Sequence, residues 1–472
     1  MTLCLALSLV LIASPASDST ELPPDVSDPV SMGPDGPQTS QPSKLEPDIL
    51  VTAQRHSASA TETAVGVNLV DEREIAERQS RTTAETLRFQ PGIWVQKTGH
   101  NGGAPIIRGF MGNRVVYMFD GIRRNTAGLF AGPNSFLNNI DELDVRRVEV
   151  VRGPGSVLYG TDAIGGVVNV LSDEEPRYTD EVGVYGRALG RYASADQERS
   201  GRLELGITSA RFHGFVGGSL RDIDALTGGR GLGTLEPSGW REENWDTQFS
   251  FLLADGHELA FSYQDFNLIG ATRYVRPGSD SDANRDLATL TYNGTDLGPV
   301  EMMKVTGYFH DQESFTDSAS SDSESDEETV GFEIQAESHP FPELRLVYGF
   351  HFHLDQLESG DPQRGTLDPD VDWDNEAVFL LSEWQALSRL RFDLGLRWDR
   401  FRLRSRAPSF GQLATSIQNA INAGALTRAD LNLDETDQAL TGSAGLVVDI
   451  TEEVSLVGHI GRGFRAPNKA DM

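Results

Sequence analysis

Leu344-Arg345-Leu346-Val347-Tyr348-Gly349-Phe350-His351-Phe352-His353-Leu354-Asp355 alternates without a break. Leu344, Leu346, Tyr348, Phe350, Phe352 and Leu354 form one face. Arg345, Val347, Gly349, His351, His353 and Asp355 form the other. A period of two belongs to an extended strand, whose successive side chains point to opposite sides. One wholly apolar face and one polar face mean a sheet between two different solvents. A β-sandwich meets that condition with its apolar face in a core and its charged face in water. A transmembrane barrel meets it with lipid outside and a polar lumen inside.

The pattern recurs. In Leu390–Arg400, the residues Leu390, Phe392, Leu394, Leu396 and Trp398 oppose Arg391, Asp393, Gly395, Arg397 and Asp399. Shorter cases are Leu203, Leu205, Ile207 and Leu259, Phe261, Tyr263. Three features favour the barrel. The strands are long, often about 10 residues, as a tilted bilayer crossing requires. Aromatics such as Trp245, Tyr263 and Trp398 stand at strand ends, as an interfacial girdle would. Long polar segments separate some strands, as extracellular loops do. Orientation then follows, because Arg or Lys at the lipid midplane costs roughly 2–4 kcal/mol. Arg391, Asp393, Arg397 and Asp399 are therefore expected to face the lumen.

Composition agrees with strands and turns. The 472 residues include 48 Gly, 22 Phe and one Cys. No disulfide can close within the chain, and no zinc site can rest on cysteine clusters. Lys and Arg number 40 against 71 Asp and Glu, a net charge of −31. That charge repels phosphate and argues against nucleic acid as a partner. A mean hydropathy of −0.34 does not exclude a membrane barrel, which shows lipid only every second residue.

Upstream of the strands the texture differs. Leu3–Ala13 is apolar, too short to span, and followed by the small residues Ser14, Ala16 and Ser17. Residues 1–17 are read as a signal peptide, which would take Cys4 with it. Residues 18–61 are a flexible linker rich in Pro, Ser, Asp and Gly. Within it Asp48-Ile49-Leu50-Val51-Thr52-Ala53 is a short β-prone run, suited to adding as a strand to a partner's sheet. On composition alone it reads first as an ordinary opening strand. Residues 62–173 look like a compact α+β domain. A short helix is expected over Thr82–Phe89, stopped by Gln90-Pro91-Gly92. Strands are expected at Ile93–Gln96, Ile106–Arg108, Val115–Phe119, Val148–Val151 and Gly166–Val170, with turns at Asp120-Gly121 and Gly153-Pro154-Gly155. Gly153–Gly160 lacks the Gly-Lys-Ser/Thr ending of a phosphate loop.

This domain carries a resemblance. Gly92-Ile93, Ile106-Ile107-Arg108-Gly109-Phe110, Asp120-Gly121-Ile122, Arg147-Val148-Glu149-Val150-Val151-Arg152-Gly153-Pro154, Leu158-Tyr159-Gly160 and Gly165-Gly166-Val167-Val168-Asn169-Val170 follow one another in order. Together they resemble the plug domain of TonB-dependent outer-membrane receptors. Gly463-Phe464-Arg465-Ala466-Pro467-Asn468 resembles a barrel motif of the same family. The resemblance implies an α+β plug followed by an antiparallel transmembrane β-barrel in the bacterial outer membrane. Residues 181–472 would be the N-terminal part of that barrel, about 13 of roughly 22 strands. An open sheet edge is not tolerated in hydrocarbon, so the chain is expected to be a piece of a longer receptor.

The resemblance also implies roles. The activity would be active import of a scarce metal chelate (a siderophore, haem or corrinoid), with no covalent chemistry and no cofactor. Asp48–Ala53 would be the box that pairs with the TonB protein of the inner-membrane complex. Arg108 and Arg152 would latch the plug to barrel glutamates, with Arg147 and Glu149 sharing a strand face as further wall contacts. Extracellular chelate would touch two plug tips. One is Gly99–Ala104 with His100 and Asn101; the other is Ile122–Asn134 with Arg123, Arg124, Asn125, Phe130 and Asn134. Two arginines there suit an anionic ligand. Within the family the plug is most similar to haem receptors at Ala104–Phe110 and Gly132-Pro133-Asn134, yet Asn125–Phe130 contains no histidine.

Other features weigh less. His351 and His353 share the lumen face and read as polar lining. Asp317–Glu328 (DSASSDSESDEE) reads as a solvated extracellular loop. Asn293-Gly294-Thr295 is a glycosylation sequon by pattern alone. The linker is too short for a folded signalling domain, and a secreted β-rich adhesin or glycan-binding protein is the alternative outside the membrane. No HExxH and no nucleophile elbow argue for an enzyme.

Overall fold

The computed structural model describes residues 4–13, 49–50, 58–59, 64–97, 99–129, 131–132, 136–172, 176–318, 322–360, 369–451 and 454–471. Among them one antiparallel sheet holds fourteen strands. Thirteen of these run in simple up-and-down order from Gly183–Ala193 to Val454–Gly463, which matches the expected number. The two end strands of the sheet do not pair with each other. The fourteenth strand is Cys4–Ala13, which lies antiparallel to Val454–Gly463 with Cys4 opposite Gly463 and Ala13 opposite Val454. Cleavage after this run is a matter of processing, on which the pairing has no bearing.

The choice between sandwich and barrel is decided by exposure. Leu394 and Leu396 are 56% and 57% exposed, whereas Arg397 and Asp399, which follow them on the same strand, are 2% and 0% exposed. A sandwich in water would bury the leucines and expose the ions. Leu203, Leu205, Phe261, Leu290, Phe350, Val378, Leu380 and Leu440 continue the outward apolar surface across the sheet. Such a continuous band is the lipid face of a membrane sheet.

The strands exceed expectation. Ser279–Leu297, Val300–Ser318 and Ser323–Phe341 have 19 residues each. Their ends therefore project past the hydrocarbon. This corrects the reading of Asp317–Glu328 as a loop. Ser323–Glu328 is strand, paired so that Glu313 faces Asp326 and Asp311 faces Glu328. Charge density is tolerated because this end of the hairpin stands in water. On Leu390–Arg406 the polarity inverts above the membrane band. Phe401 and Leu403 turn inward and are buried, while Arg402 and Arg404 face outward to Asp434 and Asp374 at 2.6 and 3.6 Å.

The plug is built on a five-stranded sheet in the order Gly66–Val70, Arg147–Arg152, Gly166–Leu171, Val115–Phe119, Ile122–Arg123. Its centre is buried on both faces, with Val148, Val150, Val168 and Val170 on one and Val151 and Val167 on the other. Asp120 and Gly121 both have positive φ (49° and 82°) and form a two-residue hairpin turn. A second pair joins Ile93–Gln96 to Ala104–Ile107. The strand expected over Ile106–Arg108 thus ends one residue earlier, because Arg108 takes the left-handed conformation (φ 51°). The expected helix over Thr82–Phe89 is a single turn, Thr83–Thr86. Another helix, Glu72–Arg78, is capped by the Asp71 carboxylate, which accepts from the Glu74 backbone N–H at 2.7 Å.

Candidate functional site

The second plug tip begins where the sheet ends. After Ile122–Arg123 the chain would leave the sheet, but Asn125 holds it. Its Oδ1 accepts from the Tyr117 N–H at 2.8 Å, and its Nδ2 donates to the Val115 carbonyl at 2.9 Å. The side chain thus imitates a strand partner. Arg123 also turns inward. It donates to the carbonyls of Tyr159 and Thr161 and pairs with Asp162 at 2.5 Å. Arg123 and Asn125 were expected at the chelate; the structure uses them to hold the plug loop.

Arg124 points the other way, to the barrel wall. Its Nη2 donates to Gln312 Oε1 at 2.9 Å. The next residues follow the same wall. The Thr126 hydroxyl donates to Glu327 at 2.9 Å, and the Ala127 N–H donates to Asp355 Oδ2 at 3.1 Å. Asp355 also accepts from Thr329 at 2.7 Å and lies 2.9 Å from His353 Nε2. His353 Nδ1 and the Tyr308 hydroxyl are 2.9 Å apart, across Gly331, whose missing side chain leaves the lane open. His351 contacts Glu333 at 3.3 Å. Around this polar seam Ala127 packs with Leu357, Trp373, Phe401, Leu403 and Phe464. Phe130 and Asn134 lie outside the described residues.

The Phe464–Asn468 motif closes over the same loop. Ala466 N–H donates to the Thr161 hydroxyl at 2.7 Å, and Asn468 Nδ2 donates to the Leu129 carbonyl at 2.6 Å. This segment fastens plug to wall mostly through the backbone.

The first tip is also docked. His100 Nε2 lies 2.9 Å from Asp196 Oδ2 in the turn between the first two barrel strands, and Trp240 meets the imidazole edge-on at 5.0 Å. Arg81 shares Asp196 at 2.9 Å. Burial lowers the His100 pKa, with Lys97 adding to the effect and Asp196 opposing it. Asn101 is buried beside it, and its Oδ1 has no hydrogen-bond partner.

The four residues expected to latch the plug lie on its own sheet and turns. Arg147 and Glu149 pair with each other at 3.1 Å along their strand. Arg152 lies over Gly92 (φ 74°), where a Cβ would come within 2.7 Å of its guanidinium, and Arg108 lies over Gly153. Burial and the neighbouring Arg108 lower the Arg152 pKa. Among the described residues no carboxylate pairs with Arg152. The plug is also ionically tied to the first barrel strands. Asp141 and Asp144 approach Arg202 at 3.4 and 2.6 Å, Glu142 approaches Arg191 at 2.9 Å, and Arg146 approaches Glu204 at 3.1 Å. Asp141-Glu142-Leu143-Asp144 was not singled out in the sequence, although three acids in four residues before a valine strand are a legible signal.

Between plug and wall runs a polar cleft of about 130 Å³, lined among others by Asp120, Gln264, Lys304 and Thr306. Glu301, Glu337 and His339 bring three ligand atoms within 4.8 Å of one another near a strand end. Arg345 already bonds Glu337 and His339 there, at 3.0 and 3.2 Å.

An outward-apolar antiparallel sheet with its polar face closed by the chain's own N-terminal domain defines a plugged outer-membrane receptor. Residues 59–167 match the TonB-dependent Receptor Plug Domain, and residues 177–472 match the TonB dependent receptor-like beta-barrel. The chain belongs to the TonB-dependent receptor family, whose members are bacterial outer-membrane proteins. The vitamin B12 transporter BtuB of Vibrio vulnificus (strain CMCP6) is 40% identical over 126 residues, covering 26% of this chain and 20% of that protein. Among solved structures, the copper transporter OprC superposes with a TM-score of 0.72 at 18% identity, covering 86% of this chain and 63% of that one. The Serratia marcescens hemophore receptor HasR, in complex with its hemophore HasA and heme, gives 0.68 at 16%, covering 86% and 64%. The chain thus spans less than two thirds of each relative's length, and the structural likenesses speak for the fold alone.

Proposed function

We propose that the protein imports a scarce metal chelate (a siderophore, haem or corrinoid) across the outer membrane, driven by TonB pairing with Asp48–Ala53, and performs no covalent chemistry. The observation that supports this reading is the fastening of the plug tip to the wall at Arg124, Thr126 and Ala127. A lumen closed by several simultaneous hydrogen bonds does not pass a bulky solute until work is done on the plug. Ile49–Leu50, inside the proposed box, has extended backbone paired with Ala58–Ser59. Extended backbone is the form in which strand addition to a partner's sheet occurs. The test compares binding with uptake in Leu50→Pro, which removes a strand donor. Cells carrying the variant should bind labelled chelate as wild type does and import none. Uptake at the wild-type rate would refute the box.

A further inference from the structure

We infer that Arg124 of the plug, with Arg285 and His310 of the wall, forms a binding site for an oxyanion, a carboxylate or phosphate group, between plug tip and barrel. The three side chains are 1%, 2% and 1% exposed. Arg285 and His310 stand on adjacent antiparallel strands, two pairs apart in register: Arg285 faces Gln312, and Leu287 faces His310. Gln312 is the residue that receives Arg124. The three groups therefore converge on one patch of wall. Each holds polar atoms that the protein leaves unmet: the donors Nε and Nη1 of Arg124 and Nε and Nη1 of Arg285, and Nε2 of His310, a donor in its Nε2–H tautomer, have no hydrogen-bond partner.

Two features make this a receptor for an anion rather than a packing accident. Phe119 and Phe266 lie within 5.1 and 5.9 Å of the Arg285 guanidinium carbon. Rings cover the face of a guanidinium but leave its in-plane N–H groups free. Those are the groups that grip a planar oxyanion in pairs. Second, no carboxylate among the described residues pairs with Arg124 or Arg285. Glu327 is the acid that acts on Arg124 from a distance, and its carboxylate is engaged by Thr126. Burial and the nearby Arg285 push the Arg124 pKa down, with Glu327 opposing them. Asp120, Asp141, Asp144 and Asp286 act on Arg285 from beyond ion-pair distance, as Glu327 does on Arg124, but none of them meets the free in-plane N–H groups. Buried donors left without an acceptor are costly unless an anion joins them. The inference rests on the import reading only for the source of the anion: the cargo's own acidic group, or a free ion.

The test uses the full chain refolded in detergent, with inorganic phosphate titrated into phosphate-free buffer. Wild type should show a saturable rise in Tm of roughly 3–5 °C at a hundredfold excess over Kd. Arg124→Gln and Arg285→Gln should lose that rise, each measured against its own phosphate-free Tm, since Arg124→Gln also gives up the bond to Gln312. A flat wild-type titration, or the same rise in both variants, overturns the site. A second arm measures binding of ferric citrate against an uncharged ferric hydroxamate. A loss of about ten- to a hundredfold for citrate alone in Arg285→Gln assigns the anion to the cargo. Unchanged citrate binding with the phosphate effect lost assigns it to a free ion. Failure of wild type to bind any chelate would count against import and leave the phosphate result standing.

Discussion

Asp355, on the inner face of the barrel wall, accepts a hydrogen bond from the backbone N–H of Ala127 at the plug tip at 3.1 Å. The same carboxylate takes the Thr329 hydroxyl and lies against His353. One buried side chain thus joins plug to wall and orders its own strand neighbours. Asp355→Ala should strand three polar groups, at about 1–3 kcal/mol each. The expected result is a plug that opens more readily. Antibiotic sensitivity of cells expressing the variant should rise, and unchanged sensitivity with unchanged hydrogen exchange at Ala127 would sink the idea.

Arg202 gathers four carboxylates, Asp141 and Asp144 from the plug and Glu204 and Asp246 from the wall, all within 3.4 Å. Arg202→Met removes their shared cation from a buried site. Breaking a buried ionic cluster in this way costs about 3–5 kcal/mol. Denaturant unfolding of the refolded chain should show that loss, and Arg202→Lys should recover part of it. A midpoint equal to wild type would mean that the cluster is solvated.

The His100 contact should weaken as the medium acidifies. Burial holds its pKa below the ordinary 6.5, so the undocked tip takes up a proton before the docked one does. The docked form then loses relative stability as pH falls below about 6.5. Asp196 acts in the same direction at lower pH. Burial alone would raise its pKa, but Arg81 and His100 hold it below 3.8, so its contribution is lost only on passing beneath that value. Protection against hydrogen exchange at Gly99–Gly102, taken relative to the intrinsic rate at each pH, should therefore fall between pH 7 and 5.5 in wild type. In His100→Gln, which keeps a donor for Asp196 but cannot titrate, the same residues should show no such added slope.

How far the sequence could be read follows from the range of each interaction. Alternation is a local property of extended chain, so the wall, its inner face and its strand number were legible. Parity placed His353, Asp355, Arg397 and Asp399 on the buried side. The plug's turns and strands were legible for the same reason, since glycine, proline and valine act on their own neighbours. The seam was not. Ala127 meets Asp355 across 228 residues and Thr126 meets Glu327 across 201, and no spacing rule connects such positions. Arg123 and Arg124 looked equivalent as adjacent basic residues at a tip. They diverge because consecutive side chains of extended backbone face opposite ways: one enters the plug, the other reaches the wall. Asp317–Glu328 misled because acidic composition suggests a loop, whereas strands that extend into water carry charge freely.

The outward face of Leu390–Arg406 offers the sharpest test of membrane insertion. Leu396 is more than half exposed and Arg397 beside it is buried, paired with Asp399 at 2.9 Å and lying against Gly160 of the plug. Leu396→Arg places a guanidinium in hydrocarbon and should cost about 2–4 kcal/mol at the bilayer midplane, falling towards the interfaces. Arg397→Leu should cost as much for the opposite reason, since it strands the buried Asp399 carboxylate. The exchange Leu396→Arg with Arg397→Leu keeps composition and volume nearly constant, yet reverses polarity at two adjacent positions, as a one-residue slip of the strand would. It should be the most damaging of the three. Folding into lipid vesicles, followed by heat-modifiable gel migration, reads all of them. The same outward face lying in water instead of lipid would rank them differently: Leu396→Arg would be mild, because an exposed arginine costs nothing there. A mild Leu396→Arg beside a severe Arg397→Leu would therefore place this face in water and overturn the assignment of the sheet to the membrane.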